Sequence, residues 1–190
     1  LYLSHTPHKA TPPSNLTTIR FNGKAVRRHK NYSKLGVKEK RADLIKVKQS
    51  SVHGKGVFAV VDIPKNTKII EYTGERISWD LAVDRHPHDP KQPNHTFYFG
   101  LDDGSVIDAK FGGNAAMWVN HSCAPNCKAI EEDVGKKSRV FLYSKKNIKA
   151  GDELFYDYGL EVEGKLTKKL KKDYECRCGS KKCRGTMLAS

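Results

Sequence analysis

The chain has 190 residues, of which 37% are hydrophobic, enough for one modest core with appendages. No apolar run approaches the roughly 18 residues of a membrane-spanning helix, so we expect no such span. The formal net charge of +14 is concentrated at the ends: residues 1–50 hold 12 basic and 2 acidic side chains, and residues 164–190 hold 9 and 2. Basic runs are usually solvated surface, but two on one small domain would also attract a polyanion such as DNA or a nucleosome.

Short strands separated by turn residues are predicted from Leu44 to about residue 158. An insertion at about residues 78–95 breaks this rhythm, because a helical start after Ile77 runs into several prolines. A second short helix is predicted to end at Trp118, and the whole pattern is mainly β with short helices. The predicted strands cover residues 44–47, 57–61, 67–72, 95–99, 106–108, 140–143 and 153–156.

Five cysteines form two groups, Cys176, Cys178 and Cys183 in a C-x-C-x4-C array and Cys123 with Cys127 upstream. The odd number and the two-residue spacing within the array argue against a disulfide framework. A tetrahedral zinc ion needs four ligands, of which the array can supply three. The fourth would come from Cys123 or Cys127, and spacing alone does not decide between them.

Taken in order, the motifs over residues 44–187 resemble those of the SET-domain protein lysine methyltransferases with a post-SET zinc tail. Residues 1–42 lie outside the resemblance, and Met117 stands where the family usually has arginine. The motifs that carry it are His53–Phe58 (HGKGVF), Glu71–Glu75 (EYTGE), Gly113–Asn126 (GNAAMWVNHSCAPN), Gly151–Gly159 (GDELFYDYG) and the cysteine array.

The resemblance implies a SET-domain β-clip fold with a pseudoknot, in which the Asn120–His121 segment passes beneath the segment that holds Tyr156 and Tyr158. It implies a basic N-terminal flank at residues 1–42, a catalytic SET domain at 43–160 and a zinc-bound post-SET tail at 161–190. S-adenosylmethionine and the substrate lysine would enter one channel from opposite faces. The resemblance also assigns one structural zinc ion to Cys123, Cys176, Cys178 and Cys183.

The resemblance further implies the roles of single residues. Tyr158 would orient the lysine amine, Tyr156 would limit the number of methyl groups, and Phe97, where many relatives have tyrosine, would line the lysine channel beside Tyr98. Gly56 would let the backbone approach the cofactor. The implied cofactor-binding set is Lys55, Gly56, Phe58, Tyr72, Asn120, His121 and Tyr158.

The function implied is S-adenosylmethionine-dependent methylation of a protein lysine, in the first place in a histone tail, giving mono- or dimethyllysine. The alternatives are methylation of another basic protein and an inactive module that binds chromatin or nucleic acid. Residues 86–90, 94–99 and 183–188 look most like SET proteins of intracellular bacteria, some of which act on host chromatin. The implied location is chromatin in the nucleus, a host nucleus for a secreted bacterial effector, and otherwise the cytoplasm.

Overall fold

The computed structural model describes residues 44–86, 91, 95–135, 137–162 and 164–189, and the backbone of Ile19–Phe21. Most of the N-terminal flank and parts of the predicted insertion lie outside these residues. No described helix is long and apolar enough to cross a membrane. The described elements are β1 (Ile19–Phe21), β2 (Ile45–Gln49), β3 (Lys55–Ala59), β4 (Lys68–Tyr72), β5 (Glu75–Ile77), α1 (Trp79–Asp84), β6 (Tyr98–Gly100), β7 (Val106–Asp108), β8 (Asn120–His121), β9 (Cys127–Val134), β10 (Lys137–Ser144), β11 (Phe155–Tyr156), β12 (Leu160–Val162) and α2 (Lys168–Asp173), with a 3-10 helix at Ala115–Trp118.

The strands form several small sheets, which confirms the expected mainly β architecture. Two three-stranded antiparallel sheets have the orders β4-β10-β9 and β5-β7-β6. Strands β2 and β3 form an antiparallel pair, as do β1 and β12. Strand β8 pairs with β11 in parallel. The β9–β10 hairpin lies between these two strands in the sequence, so the pairing joins segments that are distant along the chain.

The main core lies between the β4-β10-β9 sheet and the β2-β3 pair. Val140 and Leu142 of the central strand β10, Val57 of β3 and Leu154 are all fully buried. Each such side chain contributes about 2 kcal/mol by leaving water. Strand β10 is flanked by β4 and β9, so its backbone is paired on both edges, and its middle residues Val140, Phe141 and Leu142 are all buried.

The parallel pairing of β8 with β11 determines where the polar motif residues lie. Its register places Phe155 opposite Asn120 and Tyr156 opposite His121. Asn126 holds the same segment from the other side: its amide oxygen accepts from the backbone N–H of Phe155 at 2.8 Å, and its Nδ2 donates to Glu153 O at 2.7 Å. The two motifs are therefore joined through both backbone and side-chain hydrogen bonds.

Several predicted strands have other bounds in the structure, among them 57–61, found at Lys55–Ala59, and 95–99, found at Tyr98–Gly100. The predicted strand 153–156 is confined to β11 because Leu154 instead donates its backbone N–H to Val57 O at 2.7 Å. Strand β9 was not predicted, since its charged residues hide the alternation, and β10 holds it in an eight-residue register. Helix α2 and strands β1 and β12 were not predicted either.

The C-terminal tail has little core of its own. Helix α2 begins after Thr167, whose side chain accepts from the Leu170 N–H at 3.1 Å, and none of its residues is buried. Tyr174 and Leu188 pack against Leu160 in a small separate cluster. So little buried surface leaves the tail dependent on additional anchors.

Candidate active site

A cavity of about 370 Å³ lies where the motifs identified in the sequence meet. Its walls come from the loop before β3, from the segment around β6, from β8 with β11, and from the C-terminal tail. The tail was expected to close the site, but the residues by which it does so were not named from the sequence: Lys172, Asp173, Glu175 and Arg177. Of the predicted cofactor and catalytic residues, those that line the cavity are Lys55, Tyr72, Phe97, Tyr98, Asn120, His121, Tyr156 and Tyr158.

Two tyrosines lie side by side in the cavity wall. The ring of Tyr156 is 4.9 Å from the ring of Tyr158, centroid to centroid. The Tyr158 hydroxyl donates to Val119 O at 3.0 Å. Burial raises the pKa of both phenols above the ordinary value. Both groups are therefore neutral near pH 7 and suited to orienting a ligand by hydrogen bonds, rather than to removing a proton.

His121 connects the tyrosine segment to the cysteines. Its Nδ1 accepts from the backbone N–H of Tyr158 at 3.1 Å, and its Nε2 lies 3.4 Å from Cys123 Sγ. Burial lowers the pKa of His121 to about 4, although Asp157 opposes this shift. The imidazole is therefore neutral, and because Nδ1 accepts, we assign its proton to Nε2, facing the sulfur.

Aromatic rings form the opposite wall. The Phe97 ring lies edge-on to Trp118 at 5.2 Å and to His95 at 4.8 Å, and His95 lies 5.0 Å from His53. The Lys55 ammonium sits 4.6 Å from the centre of the Trp118 ring, a cation–π distance. Sequence reasoning did not include His53, His95 or Trp118 in the site, although all three lie inside or beside the motifs.

The tyrosines of the preceding strands have different surroundings. The Tyr72 hydroxyl donates to Phe97 O at 3.0 Å, which fixes the aromatic wall to β4. The Tyr98 side chain packs with Ile77 and Val106 in the neighbouring apolar cluster, and burial raises its pKa to about 12. Phe97 and Tyr98 thus point to different sides, as strand alternation predicts.

Gly56 and Phe58 do not line the cavity, although the resemblance implied that both bind the cofactor. The Phe58 ring lies 5.4 Å below the Lys48 ammonium. A Cβ atom on Gly56 would come within 2.2 Å of Glu153 Oε1. The missing side chain at Gly56 therefore makes room for a carboxylate of the protein itself. Glu153 was not selected from the sequence, even though it lies within the GDELFYDYG motif.

Four sulfur atoms come together beside the cavity. The Sγ atoms of Cys123, Cys176, Cys178 and Cys183 lie within 4.8 Å of one another, and Cys123 Sγ is 3.6 Å from Cys176 Sγ. Four thiolates around a tetrahedral zinc ion, at about 2.3 Å each, would be about 3.8 Å apart. None of the four is in a disulfide. The donor set and its spacing therefore fit one zinc ion.

The fifth cysteine is separate from this cluster. Cys127 is 1% exposed within the main core, and burial raises its pKa to about 12. The alternative that spacing left open is thus resolved geometrically, because Cys123 and not Cys127 lies with the array.

An ion pair adds a second link between tail and body. Arg184 Nη1 and Nη2 donate to Asp157 Oδ2 and Oδ1 at 2.6 and 2.9 Å, and the Arg184 backbone N–H points to Cys123 Sγ at 3.4 Å. Burial raises the pKa of Asp157, but the hydrogen bonds from Arg184 and from the Gly159 N–H, together with the nearby positive charge, leave the pKa below its usual value. The carboxylate next to Tyr158 is therefore charged and oriented.

The family model described as "SET domain" matches residues 54–159. The chain is 34% identical over 166 residues, 82% of its length, to the histone-lysine N-methyltransferase trr of Drosophila melanogaster. It is 35% identical over 77% of its length to the histone-lysine N-methyltransferase set1 of Dictyostelium discoideum. A third relative, the H3 lysine-4-specific histone-lysine N-methyltransferase of Chaetomium globosum, is 36% identical over 77% of the chain. The matches span only 7%, 10% and 13% of these relatives' own lengths.

Solved structures show the same architecture. The polycomb repressive complex 2 of Chaetomium thermophilum superposes with a TM-score of 0.57 at 33% identity, covering 60% of this chain and 15% of that one. A structure of ctPRC2 in an autoinhibited conformation bound to S-adenosylmethionine gives the same TM-score and covers 62% of this chain and 15% of its own.

Proposed function

Because this chain belongs to the SET-domain family, we propose that it transfers a methyl group from S-adenosylmethionine to a lysine side chain of a protein, with a histone tail as substrate. The observation that carries the proposal is the cavity in which Asn120, His121, Tyr156 and Tyr158 converge. The three relatives above are histone-lysine methyltransferases by name, which supports the substrate class.

The cavity has the features that S-adenosylmethionine requires. A polar edge, formed by Asn120 and the loop before β3, faces an aromatic wall with Trp118, which suits a ligand that is ionic at one end and aromatic at the other. The Lys55 ammonium supplies a positive charge for a carboxylate. When bound, the cofactor supplies an electrophilic methyl group on a sulfonium.

The protein's tasks are to align the lysine amine, to exclude water and to favour loss of the amine's proton. A free lysine has a pKa near 10.4, so deprotonation at pH 7 costs about 5 kcal/mol. A buried, largely aromatic channel lowers that pKa because it disfavours the ammonium form. The neutral Tyr158 hydroxyl orients the amine for in-line attack, and the nitrogen–methyl bond forms as the sulfur–methyl bond breaks. The amine's proton passes to solvent before the transfer.

The cysteine cluster is proposed to hold one structural zinc ion. Cys123 belongs to the body and the other three cysteines to the tail, so the ion would join the post-SET tail (residues 161–190) to the SET domain (residues 43–160). The Cys123 sulfur also faces the His121 Nε2 proton, which would fix the imidazole beside the metal ligand. The ion's contribution is anchoring, since the tail residues at the cavity edge depend on it.

The product is proposed to be mono- or dimethyllysine. Tyr156 is 7% exposed and fills the space next to Tyr158, which leaves less room for a growing methylammonium group. Phe97 carries no hydroxyl, so this side of the channel is apolar and makes no further hydrogen bond to the amine.

The partner is proposed to be chromatin, with the basic residues at both ends contacting nucleosomal DNA and the protein acting in a nucleus. The net charge of +14 and the exposed lysines of α2 support this contact. The resemblance of residues 94–99 and 183–188 to SET proteins of intracellular bacteria adds the proposal of a secreted effector that acts in a host nucleus.

The test is incubation of the protein with labelled S-adenosylmethionine and core histones or nucleosomes, followed by mass spectrometry. We expect label on a histone lysine with wild type and with Tyr143→Phe, a matched loss of a hydroxyl outside the cavity, and a rate at least 100-fold lower with Tyr158→Phe. Label on other basic proteins alone would favour the non-histone alternative. No transfer to any protein would favour an inactive binding module.

A further inference from the structure

Glu153 is half-buried and contacts Asn120 of the cavity wall without lining the cavity itself, and its two carboxylate oxygens have different partners. Oε2 accepts from the Ser50 hydroxyl at 3.0 Å, and Oε1 accepts from Asn120 Nδ2 at 2.9 Å. Glu153 thus connects the loop before β3, where Ser50 lies, to β8, where Asn120 lies.

The close approach of Glu153 depends on Gly56. A Cβ atom at that position would be 2.2 Å from Glu153 Oε1 and 2.8 Å from its Cδ, distances that no packed side chain tolerates. Phe58, two residues along β3, forms an antiparallel bridge with Glu153, so the backbone cannot move away to make space. The carboxylate occupies this place only because residue 56 is glycine.

The contacts of Asn120 determine which end of its amide faces the ligand. Its Nδ2 lies 3.0 Å from Lys55 O, 3.3 Å from His53 O and 2.9 Å from Glu153 Oε1. All three partners are acceptors, so only the NH₂ group can face them. The amide oxygen accepts no hydrogen bond from any described residue, while Asn120 itself lines the cavity.

We infer that Glu153 is a positioning residue, which holds the Asn120 amide so that its oxygen accepts a hydrogen bond from an N–H donor of S-adenosylmethionine. The inference rests on the proposed function and goes beyond it by giving a role to a residue outside the cavity. Without the carboxylate, only the carbonyls of Lys55 and His53 hold the NH₂ group. The amide orientation is then less firmly fixed, and the shortest of its three contacts, a charge-assisted one, is lost. Glu153 would therefore act on cofactor affinity and not on the transfer step.

A purely structural role for Glu153 predicts a different result. Loss of its hydrogen bonds between the loop before β3 and β8 would then lower the stability of the protein without a specific loss of affinity for S-adenosylmethionine. Glu131→Ala provides the matched control. Glu131 is buried and accepts the backbone N–H of Asp102 at 3.0 Å, and like Glu153 it does not line the cavity. Both alanine variants remove a hydrogen-bonded carboxylate that does not line the cavity, and only one removes the partner of Asn120.

The experiment measures the affinity for S-adenosylmethionine by calorimetry, its KM and kcat, and the melting temperature. For Glu153→Ala we expect a Kd about 10-fold higher, the loss of one charge-assisted hydrogen bond. KM should rise by the same factor with little change in kcat. Glu153→Gln should stay within about 3-fold of wild type, because its amide oxygen accepts from Asn120 and its NH₂ donates to Ser50. Glu131→Ala should melt earlier and bind normally.

Gly56→Ala offers an independent route to the same displacement. Its methyl group would push the carboxylate off Asn120, so the Kd should rise as for Glu153→Ala. In the double variant the added methyl group meets no carboxylate, and its remaining close contact is with Ser50 Cβ at 3.0 Å, which a small shift relieves. Affinity should therefore stay close to that of Glu153→Ala rather than fall by the sum of the two single effects. Such non-additivity is the mark of two residues acting through one contact.

The inference is overturned if Glu153→Ala binds as wild type, if Glu153→Gln is as weak as Glu153→Ala, or if Glu131→Ala shows the same loss of affinity. Wild-type protein that binds no S-adenosylmethionine would overturn the proposed function itself. Binding by wild type and unchanged binding by Glu153→Ala would overturn only the role of Glu153.

Discussion

At the scale of single residues, the contacts of Tyr156 make it the clearest candidate for control of the product. Its ring lies between Tyr158 at 4.9 Å and Phe99 at 6.4 Å, and the side chain is buried. The phenol oxygen of Tyr156 occupies space in the channel, about the volume of one small chemical group. Its removal enlarges the channel without disturbing the two neighbouring rings.

We therefore expect Tyr156→Phe to shift the product from mono- or dimethyllysine toward trimethyllysine, with an initial rate within about 10-fold of wild type. Mass spectrometry of a peptide substrate over time measures the distribution. Tyr143→Phe serves as control and should keep the wild-type pattern. Identical product distributions for Tyr156→Phe and wild type would show that other residues limit methylation.

At the scale of elements, the attachment of the tail to the body is the critical contact. Three connections contribute: the cysteine cluster, the pair of Arg184 with Asp157, and the packing of Leu188 on Leu160. The apolar part is small, so the first two determine whether the tail residues stay at the cavity edge.

Removal of zinc should disorder the tail and abolish activity. We expect about one zinc per chain in wild type and in Cys127→Ala, since Cys127 lies apart from the cluster, and loss of the ion in Cys178→Ser. Elemental analysis and hydrogen exchange over residues 164–189 measure the two effects. Full activity with a protected tail in metal-free protein would contradict the assignment.

The bidentate ion pair should make a smaller contribution. Arg184→Gln should lower stability by about 1 kcal/mol, a value reduced because Asp157 is 36% exposed. Faster hydrogen exchange should be limited to the tail. Lys149→Gln removes a more exposed pair, with Asp62, and should change neither quantity measurably. Equal behaviour of the two variants would mean that the Arg184 pair does not anchor the tail.

At the scale of the whole molecule, the charge distribution separates the two ends from the body. In the tail, ion pairs with other described residues involve Lys169, Arg177 and Arg184. The lysines that remain available on its exposed surface are Lys165, Lys168, Lys171, Lys172, Lys181 and Lys182.

If this surface contacts DNA, charge removal should weaken nucleosome binding and leave activity on a free peptide unchanged. In a variant with glutamine at Lys168, Lys171, Lys181 and Lys182, each lost phosphate contact should lower the slope of log K against log salt by about 0.9. The double variant Lys145→Gln/Lys146→Gln on the body is the control. Equal slopes for both variants and wild type would exclude the tail as a DNA contact.

The N-terminal flank allows a related test, because removal of residues 1–42 should also reduce nucleosome affinity and its salt dependence. This deletion also removes β1, which pairs with β12 two residues after Tyr158. Removal of residues 1–18 keeps β1 and separates the two effects. A peptide rate that changes only with the longer deletion would assign a structural role to β1.

The sequence allowed the prediction of the mainly β class and of the short strands around β2, β4 and β7, and most of the cofactor and catalytic residues it named line the cavity. Turn residues and alternation are local signals, so these elements could be located without a structure. Strand β9 could not, because its charged residues hide the alternation and its pairing with β10 stabilises it instead. The short α2 was missed because its lysine-rich sequence carries no apolar face.

The sequence by itself was enough to identify the family, the two tyrosines of the cavity and the three cysteines of the tail. Each of these belongs to a short motif with a definite spacing. Spacing left Cys123 and Cys127 open; the family resemblance assigned Cys123, and the structure places it with those cysteines. Only the tertiary structure decided that Gly56 makes room for Glu153. The physical reason is distance along the chain. Ser50 and Glu153 are 103 positions apart, and no local pattern indicates that their side chains meet.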